Sequence, residues 1–208
     1  MIAIIDYGAG NLRSVQKAFE AVGAEAAVTA DRAEIDAADG VVLPGVGAFG
    51  DCMHSIQSSG LEETVKAVVK RQTPFLGICL GLQLLFEESE ETPGVSGLGL
   101  FAGKIVRIPA GDGLKIPHMG WNSLCMQKNS RLLHGLPKAP FVYFVHSYYM
   151  QPADTSIVSA TTQYGAELPV ALEDGNVFAT QFHPEKSGDI GLQILKNFAN
   201  FVTDAKAL

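Results

Sequence analysis

Charge and cysteine are both scarce in this sequence, and each shortage excludes classes of protein. Charged residues make up 18% of the chain and hydrophobic residues 47%, which excludes a solvated or disordered chain and provides for a substantial core. The formal net charge of −7 argues against general affinity for nucleic acid or for an anionic membrane. The 208 residues allow one large domain or at most two small ones.

The three cysteines, Cys52, Cys79 and Cys125, are odd in number and widely spaced, so they predict neither a disulfide framework nor a CxxC metal site. We therefore expect a reducing, cytoplasmic location. Residues 1–6 lack the basic start of a signal peptide and predict a first strand. No apolar run approaches the length of a membrane span and no histidine pair has zinc-ligand spacing, so we expect no membrane partner, metal or cofactor.

The first half of the chain alternates strand-like and helix-like patterns. Asn11 can cap the first helix and Gly23 can end it. A second helix is predicted over 61–72, and another runs from the turn after Cys79 through Phe86. This rhythm predicts a parallel sheet with helices on both faces. The strands predicted for this half are 2–6, 25–29, 41–43 and 73–78.

The second half predicts short strands with tight connections, which we expect to join the same sheet as antiparallel strands. Glu173-Asp174-Gly175-Asn176 has the composition of a hairpin turn. The predicted fold is therefore α/β, with an open, mixed and mainly parallel sheet flanked by helices. The strands predicted here are 100–108, 141–150, 156–162, 166–172 and 176–182. The apolar face of the closing helix consists of Ile190, Ile194, Leu195, Phe198, Phe201 and Val202.

Gly77-Ile78-Cys79-Leu80-Gly81 has the form G-x-C-x-G and lies where an apolar strand turns into a helix. This is the cysteine version of a nucleophile elbow, a turn too sharp for side chains on its flanks. It would lift the thiol above the carboxyl edge of the sheet and place it at a helix N-terminus, whose dipole favours thiolate. The alternative interpretation is a buried structural cysteine in a glycine-rich turn.

His183-Pro184-Glu185 follows the predicted strand 176–182. Residues two apart in an extended chain point the same way, and Pro184 favours extended geometry at His183. His183 and Glu185 can therefore serve as a base and its orienting carboxylate, which a cysteine nucleophile needs. A solvated turn at the end of a strand is the alternative.

The segment 45–50 matches the G-x-G-x-x-G pattern of dinucleotide sites. It follows the third predicted strand rather than the first, and Pro44 interrupts the step from strand to loop, both of which count against a dinucleotide site. We favour a flexible loop whose amides at Val46 and Gly47 supply an oxyanion donor.

Together, the segments 44–47, 77–83 and 183–185 resemble the three signatures of class I glutamine amidotransferase domains, in order and in spacing. The resemblance spans residues 1–208 and implies that they form a single domain with the flavodoxin-like fold of that family. Within the family, three further stretches are similar to the glutaminase subunits of imidazole glycerol phosphate synthases, which belong to histidine biosynthesis. These stretches are 6–12, 117–122 and 145–148.

The resemblance implies hydrolysis of glutamine to glutamate and ammonia. Cys79 would form a thioester with the substrate, His183 would transfer protons, and Glu185 would hold His183. The implied oxyanion donors are the backbone amides of Leu80 and of Val46 or Gly47. The implied glutamine-binding residues are Gly45, Gln83, Glu91, Ser147 and Tyr148.

The same resemblance implies a protein partner, because the similarity to an amidotransferase takes up residues 1–208 and leaves none for a second active site. The implied partner is a cyclase subunit, a (β/α)₈ barrel, which uses the ammonia to make imidazole glycerol phosphate and aminoimidazole carboxamide ribotide. The segment 117–122 is the candidate docking face, with core packing of its tryptophan as the alternative. The predicted interface residues are Asn11, His118, Met119, Trp121, Asn122 and Lys186.

Three other functions stay open on these residues. A glutaminase that serves another synthase, such as one for anthranilate or pyridoxal phosphate, would share the triad of Cys79, His183 and Glu185. A cysteine peptidase or a γ-glutamyl hydrolase would use a similar one. A flavodoxin-like binding module would have the fold without a reactive thiol.

Overall fold

The computed structural model describes residues 1–111 and 113–206, which form a layered arrangement of strands and helices. The strands are β1 (Ile2–Ile5), β2 (Ala26–Thr29), β3 (Gly40–Gly45), β4 (Phe75–Cys79), β5 (Phe86–Ser89), β6 (Phe101–Arg107), β7 (His118–Ser123), β8 (Cys125–Met126), β9 (Phe141–His146), β10 (Tyr148–Pro152), β11 (Val158–Tyr164), β12 (Ala166–Asp174) and β13 (Val177–Thr180). The α-helices are α1 (Leu12–Ala21), α2 (Arg32–Ala37), α3 (Phe49–Ser58), α4 (Glu62–Lys70), α5 (Leu80–Gln83) and α6 (Gly188–Lys206).

The main sheet has eight strands in the order β2-β1-β3-β4-β13-β12-β11-β8. The first five strands in this order are parallel, and the last three continue the sheet in antiparallel pairs. This confirms the predicted mixed, mainly parallel α/β sheet. Asp174 pairs with Val177 across the predicted turn, so the β12–β13 hairpin is also confirmed.

Both faces of the main sheet are covered, and successive residues of a strand enter opposite cores. On β1, Ala3 and Ile5 belong to one hydrophobic cluster, whereas Ile2 and Ile4 belong to the other. This is the alternation that a pleated strand imposes on its side chains. The helix α6 covers the second cluster with the predicted side chains Ile194, Leu195, Phe198 and Val202.

Two of the predicted strands, 100–108 and 141–150, do not join the main sheet. The run 141–150 divides at Ser147 into β9 and β10, because its two halves pack on opposite faces of the main sheet. Phe144 lies in the cluster that α6 covers, whereas Met150 lies in the other cluster. β9 accordingly pairs with β7 in a two-stranded ribbon, and β10 pairs with β6 in a separate sheet that also contains β5.

The helix predicted through Phe86 is wrong, because α5 ends at Gln83 and Phe86 begins β5. The carbonyl groups of Leu84 and Leu85 accept hydrogen bonds from the amides of Leu98 and Leu100 instead of from a following helical turn. Among the described residues, no helix combines the length and the apolar character needed to cross a membrane.

The ends of α1 follow the sequence only in part. Gly23 adopts a positive φ of 80° and its amide bonds to Glu20, so it ends the helix as predicted. Asn11 stands at the N-cap position, but its side chain makes no capping hydrogen bond.

Candidate active site

Cys79 is the last residue of β4 and has a strained backbone, with φ 55° and ψ −112°. Such a conformation costs on the order of 1–3 kcal/mol in a non-glycine residue and persists only where the surroundings enforce it. The two glycines of the elbow do so. A Cβ atom on Gly77 would lie 2.9 Å from the carbonyl oxygen of Gly81, so the turn has no room for side chains there.

The helix that follows the elbow is shorter than predicted. α5 has four residues, so its dipole is smaller than that of the longer helix expected from the sequence. Gln181 lies beside the thiol instead, and its amide nitrogen is 3.8 Å from Cys79 Sγ. Gln181 is fully buried and was not identified in the sequence. In the sequence, only its position two residues before His183 indicates a role in the site.

His183 reaches the thiol from the neighbouring strand, because β13 lies directly beside β4 with Thr180 opposite Ile78. Its Nδ1 is 2.8 Å from Glu185 Oε1, and the two side chains are 2% and 1% exposed. The carboxylate fixes Nδ1 as the protonated nitrogen and leaves Nε2 for the thiol. Nε2 is buried and has no hydrogen-bond partner among the described residues, so it is available to the thiol of Cys79, which lines the same cavity.

The pKa of His183 reflects two opposing influences. Burial lowers it, but the adjacent Cys79 thiol and the Glu185 carboxylate outweigh burial and raise the pKa to about 9. An imidazolium between two groups that can carry negative charge is the arrangement that favours proton transfer from thiol to histidine.

His183 and Glu185 lie side by side, as predicted, but the predicted reason, an extended chain through both residues, is wrong. His183 itself is extended, with φ −99° and ψ 97°, as the following proline favours. Residues Pro184–Lys186, however, form a 3₁₀ turn, and Ser187 Oγ donates a 2.6 Å hydrogen bond to the carbonyl of His183. The turn, rather than strand alternation, brings the carboxylate back to the imidazole.

A cavity of about 330 Å³ opens over the thiol. It contains most of the residues predicted for catalysis and glutamine binding, although these are far apart in the sequence. Gly45 and Glu185 do not line it. The lining consists of Val46, Gly47, Cys79, Leu80, Gln83, Glu91, Pro117, Val145, His146, Ser147, Tyr148 and His183.

Gly45 has a packing role in this structure. It lies opposite Cys79 in the β3–β4 pair, and a Cβ atom there would lie 2.7 Å from the hydroxyl of Tyr7. The next two residues turn outward: Val46 is 41% exposed and Gly47 has φ 103°. A hydrogen bond of 3.4 Å from the Cys52 thiol to the carbonyl of Val46 connects this loop to α3. Val46 and Gly47, in the glycine-rich loop 45–50, therefore lie at the rim of the cavity.

One of the two carboxylate oxygens of Glu91 already has a hydrogen-bond partner within the protein. Its Oε2 accepts a 2.8 Å hydrogen bond from the amide of Phe49, the first residue of α3. A carboxylate at this position is favourable because helix N-termini carry unsatisfied N–H groups and partial positive charge. Its other oxygen can still meet a ligand cation in the cavity.

Gln83 lies at the bottom of the cavity and is buried. Its amide nitrogen donates to the carbonyl of Tyr148 at 3.2 Å and to Gln181 Oε1 at 3.0 Å. Both hydrogens of that nitrogen are therefore used within the protein, and Oε1 is the group that Gln83 can offer to a ligand. Among the described residues, no cluster of three or more His, Cys, Asp or Glu side chains is arranged to hold a metal ion.

Comparison with known proteins places this chain in a family. Residues 3–201 match the model of the class-I glutamine amidotransferases. The chain is 54% identical to the imidazole glycerol phosphate synthase subunit HisH of Methanothermobacter thermautotrophicus, over 97% of this chain and 99% of that protein. It is 52% identical to the protein of the same description from Moorella thermoacetica, over 98% of this chain and 96% of the relative.

The chain belongs to the HisH family of class-I glutamine amidotransferases. The fold agrees as well. A solved structure described as a glutamine amidotransferase superposes with a TM-score of 0.74 over the full length of both chains, at 20% identity. In this class-I amidotransferase, the elbow at Cys79, the turn at 183–186 and the glycine loop 45–50 follow the carboxyl ends of three adjacent strands, β4, β13 and β3.

The β7–β9 ribbon of this amidotransferase divides the predicted interface residues between two faces. Met119 and Trp121 are 63% and 55% exposed, so the core interpretation of the tryptophan is wrong. His118 points to the opposite face and is only 2% exposed. It therefore cannot contact a partner as predicted, because strand alternation turns it inward. Asn122 lies on the same inner face and is half-buried.

The two remaining interface predictions lie at the carboxyl edge of the main sheet. Asn11 is half-buried in the segment after β1, and Lys186 is exposed at the end of the 3₁₀ turn Pro184–Lys186. Both follow parallel strands, β1 and β13, whose carboxyl ends form the edge that also carries Cys79.

Proposed function

We propose that this chain hydrolyses glutamine to glutamate and ammonia in the cavity over Cys79. The observation that carries the proposal is the meeting of a strained elbow cysteine with a buried His–Glu pair from the adjacent strand. A thiol needs a base within reach, and the base needs a third group that fixes its tautomer. Cys79, His183 and Glu185 have these roles.

The first half of the reaction forms a thioester. His183 Nε2 takes the thiol proton, and the thiolate of Cys79 attacks the side-chain carbonyl carbon of glutamine. The resulting oxyanion accepts hydrogen bonds from the amide of Leu80 and from one amide of the glycine loop. When the C–N bond breaks, the imidazolium gives its proton to the departing nitrogen, which leaves as ammonia.

The second half releases glutamate. His183 takes a proton from water, the resulting hydroxide attacks the thioester carbonyl, and the same amides hold the second oxyanion. The C–S bond then breaks, and the sulfur recovers the proton from His183. Each oxyanion donor of this kind typically lowers the barrier by about 3 kcal/mol.

The cavity also provides for recognition of the amino-acid end of glutamine. Glu91 supplies a negative charge for the α-ammonium group, and the backbone near Ser147 and Tyr148 lines the wall beside Gln83. The network around Gln83 leaves its Oε1 as the acceptor for a substrate N–H group.

The chain is the glutamine amidotransferase subunit of an imidazole glycerol phosphate synthase and serves histidine biosynthesis. We propose that residues 1–208 act as one amidotransferase domain and that a cyclase subunit with a (β/α)₈ barrel receives the ammonia. Ammonia that escaped to water would become ammonium, which is not a nucleophile, so direct transfer between subunits is required. The exposed apolar face of the β7–β9 ribbon, with Met119 and Trp121, is the proposed docking surface.

The test is glutamate formation from glutamine, measured with and without the purified cyclase subunit and its ligand. We expect activity that the cyclase complex increases and that Cys79→Ala abolishes. Cys125→Ser is the matched control, because Cys125 is an exposed free cysteine on the edge strand β8. Glutamate formation by Cys79→Ala at the wild-type rate would refute the proposal.

A further inference from the structure

Two buried histidines outside the triad stand directly opposite each other on the β7–β9 ribbon. His118 pairs with His146 in the strand register, and His118 Nδ1 lies 2.9 Å from His146 Nε2. The ring of His118 is stacked between Phe144, at a centroid distance of 4.7 Å, and Tyr164, at 3.9 Å. The proposed mechanism uses neither histidine, yet both are 5% exposed or less.

These histidines form part of a continuous series of hydrogen bonds. The amide nitrogen of Asn122 lies 3.3 Å from His118 Nε2, at one end of the pair. At the other end, His146 Nδ1 lies 2.9 Å from the carbonyl oxygen of Tyr148. That carbonyl also accepts from Gln83, which continues through Gln181 to the thiol of Cys79.

The direction of every hydrogen bond follows from the Tyr148 carbonyl, which can only accept. His146 therefore carries its proton on Nδ1 and accepts at Nε2, so His118 must donate from Nδ1 and accept at Nε2. Asn122 agrees with this, since its nitrogen also donates to the carbonyl of Gln163 and its oxygen accepts from the amide of Ser123. Burial lowers the pKa of His118 and of His146 to about 4, so both rings are neutral near neutral pH.

The Tyr148 carbonyl has no lone pair left for the substrate. A carbonyl oxygen has two lone pairs, and His146 and Gln83 occupy both. The carbonyl is thus fixed in orientation and cannot also accept from glutamine. It holds the Gln83 amide with both hydrogens directed into the protein, which turns Oε1 towards the cavity.

We infer that His118 and His146 are positioning residues for glutamine binding, acting through the Tyr148 carbonyl and Gln83. His146 also lines the cavity, but both of its ring nitrogens are engaged within the protein, by His118 and by the Tyr148 carbonyl. Without the donor at His146, the Tyr148 carbonyl keeps only its contact with Gln83 and is no longer held in one direction, so the Gln83 side chain that it anchors loses its fixed position in the cavity. This inference rests on the proposed function, because it assigns the cavity to glutamine.

The test measures how well glutamine protects Cys79 against alkylation by iodoacetamide, with the modified residue identified by peptide mass mapping. In His146→Leu the donor to Tyr148 is lost, and we expect the half-protecting glutamine concentration and the KM of glutamine hydrolysis to rise about tenfold, the effect of one buried hydrogen bond. The rate of alkylation without glutamine is measured for each variant, so that a change in the reactivity of Cys79 itself is separated from a change in glutamine protection. His146→Asn retains a donor at the Nδ1 position and should restore protection to within about threefold.

His118→Phe is a second variant, which keeps the stacked ring between Phe144 and Tyr164 and removes only the polar contacts. It leaves His146 Nε2 without its donor, so the ring of His146 is held less firmly against Tyr148, and glutamine protection should weaken in the same direction. His134→Phe, at an exposed histidine in a different part of the chain, is the matched control and should leave protection unchanged. Circular dichroism establishes that each variant is folded.

The outcomes separate this inference from the function on which it rests. If glutamine fails to protect Cys79 in the wild type, the proposed function is refuted. If glutamine protects the wild type and the folded His146→Leu and His118→Phe variants equally well, the function stands and the positioning role is refuted. Reduced stability of these variants with unchanged protection would assign the two histidines a purely structural role.

Discussion

A Cβ atom on Gly81 would lie 1.9 Å from the carbonyl oxygen of Leu43, which belongs to the neighbouring strand β3. The first turn of α5 is therefore pressed directly against the backbone of the sheet. This contact sets the direction in which the chain leaves Cys79, and with it the direction of the thiol. This backbone packing holds the elbow and keeps Cys79 at its strained φ of 55°.

We expect Gly81→Ala to lower the free energy of unfolding by about 3 kcal/mol or more, because overpacking against an immobile backbone costs about 1–3 kcal/mol even where neighbours can move. Urea denaturation followed by circular dichroism measures the effect. Gly111→Ala is the matched control, since the nearest atoms to its added Cβ are 3.7 Å away on Leu114. Equal stability of the two variants would contradict the packing account of the elbow.

The pKa of His183 predicts how stability depends on pH. Because the folded-state pKa is raised from 6.5 to about 9, the imidazolium stabilises the folded protein fully below pH 6.5, and this contribution disappears as the pH rises through 9. It amounts to at most on the order of 3 kcal/mol. Unfolding by urea at pH 6 and pH 9.5 measures it.

The reference for that measurement is the double variant His183→Gln/Glu185→Gln, which removes the histidine without leaving a lone buried carboxylate. We expect the stability advantage of the wild type over this variant to shrink between the two pH values. An advantage that grows with pH would show that His183 is not held in its protonated form by its neighbours.

The triad leads to a further prediction about reactivity. Glu185→Gln keeps the shape of the side chain but replaces the charge that lies 2.8 Å from His183 Nδ1. We expect glutamine hydrolysis to fall by at least about a hundredfold, within the range that general acid–base catalysis contributes, with little change in the KM for glutamine. Steady-state glutamate formation measures both constants. A rise in KM at constant kcat would move Glu185 from orienting the base to binding the substrate.

The parts of the site that could be predicted from sequence are those with local causes. The glycines beside Cys79 are required by atoms within four residues or on the adjacent strand, and Pro184 restricts His183 directly. The β12–β13 turn likewise depends on Gly175 and its neighbours. In each case the residue types alone carry the geometric restriction.

The parts that could not be predicted depend on which core a segment enters. Nothing local distinguishes the two halves of the run 141–150, which separate because Phe144 and Met150 pack on opposite faces of the main sheet. Gln181 was missed for the same reason, since its contacts with Gln83 and Cys79 join residues about a hundred positions apart. The sequence predicts His118 at the surface because no local pattern indicates the strand β7, whose alternation turns this side chain inward.

The exposed face of the β7–β9 ribbon leads to the last prediction. Trp121 is 55% exposed and packs edge-on against Tyr143, with Met119 on the same face. Exposed aromatic residues of this kind often dominate an interface, so we expect Trp121→Ala to weaken binding of the cyclase subunit by at least about thirtyfold, or 2 kcal/mol. Its unfolding free energy should fall by no more than about 1.5 kcal/mol, the most that the edge-on contact with Tyr143 is expected to contribute. Titration calorimetry against the cyclase subunit measures the affinity, with Met126→Ala on the edge strand β8 as an exposed apolar control. A dissociation constant unchanged in Trp121→Ala would move the docking surface away from this ribbon.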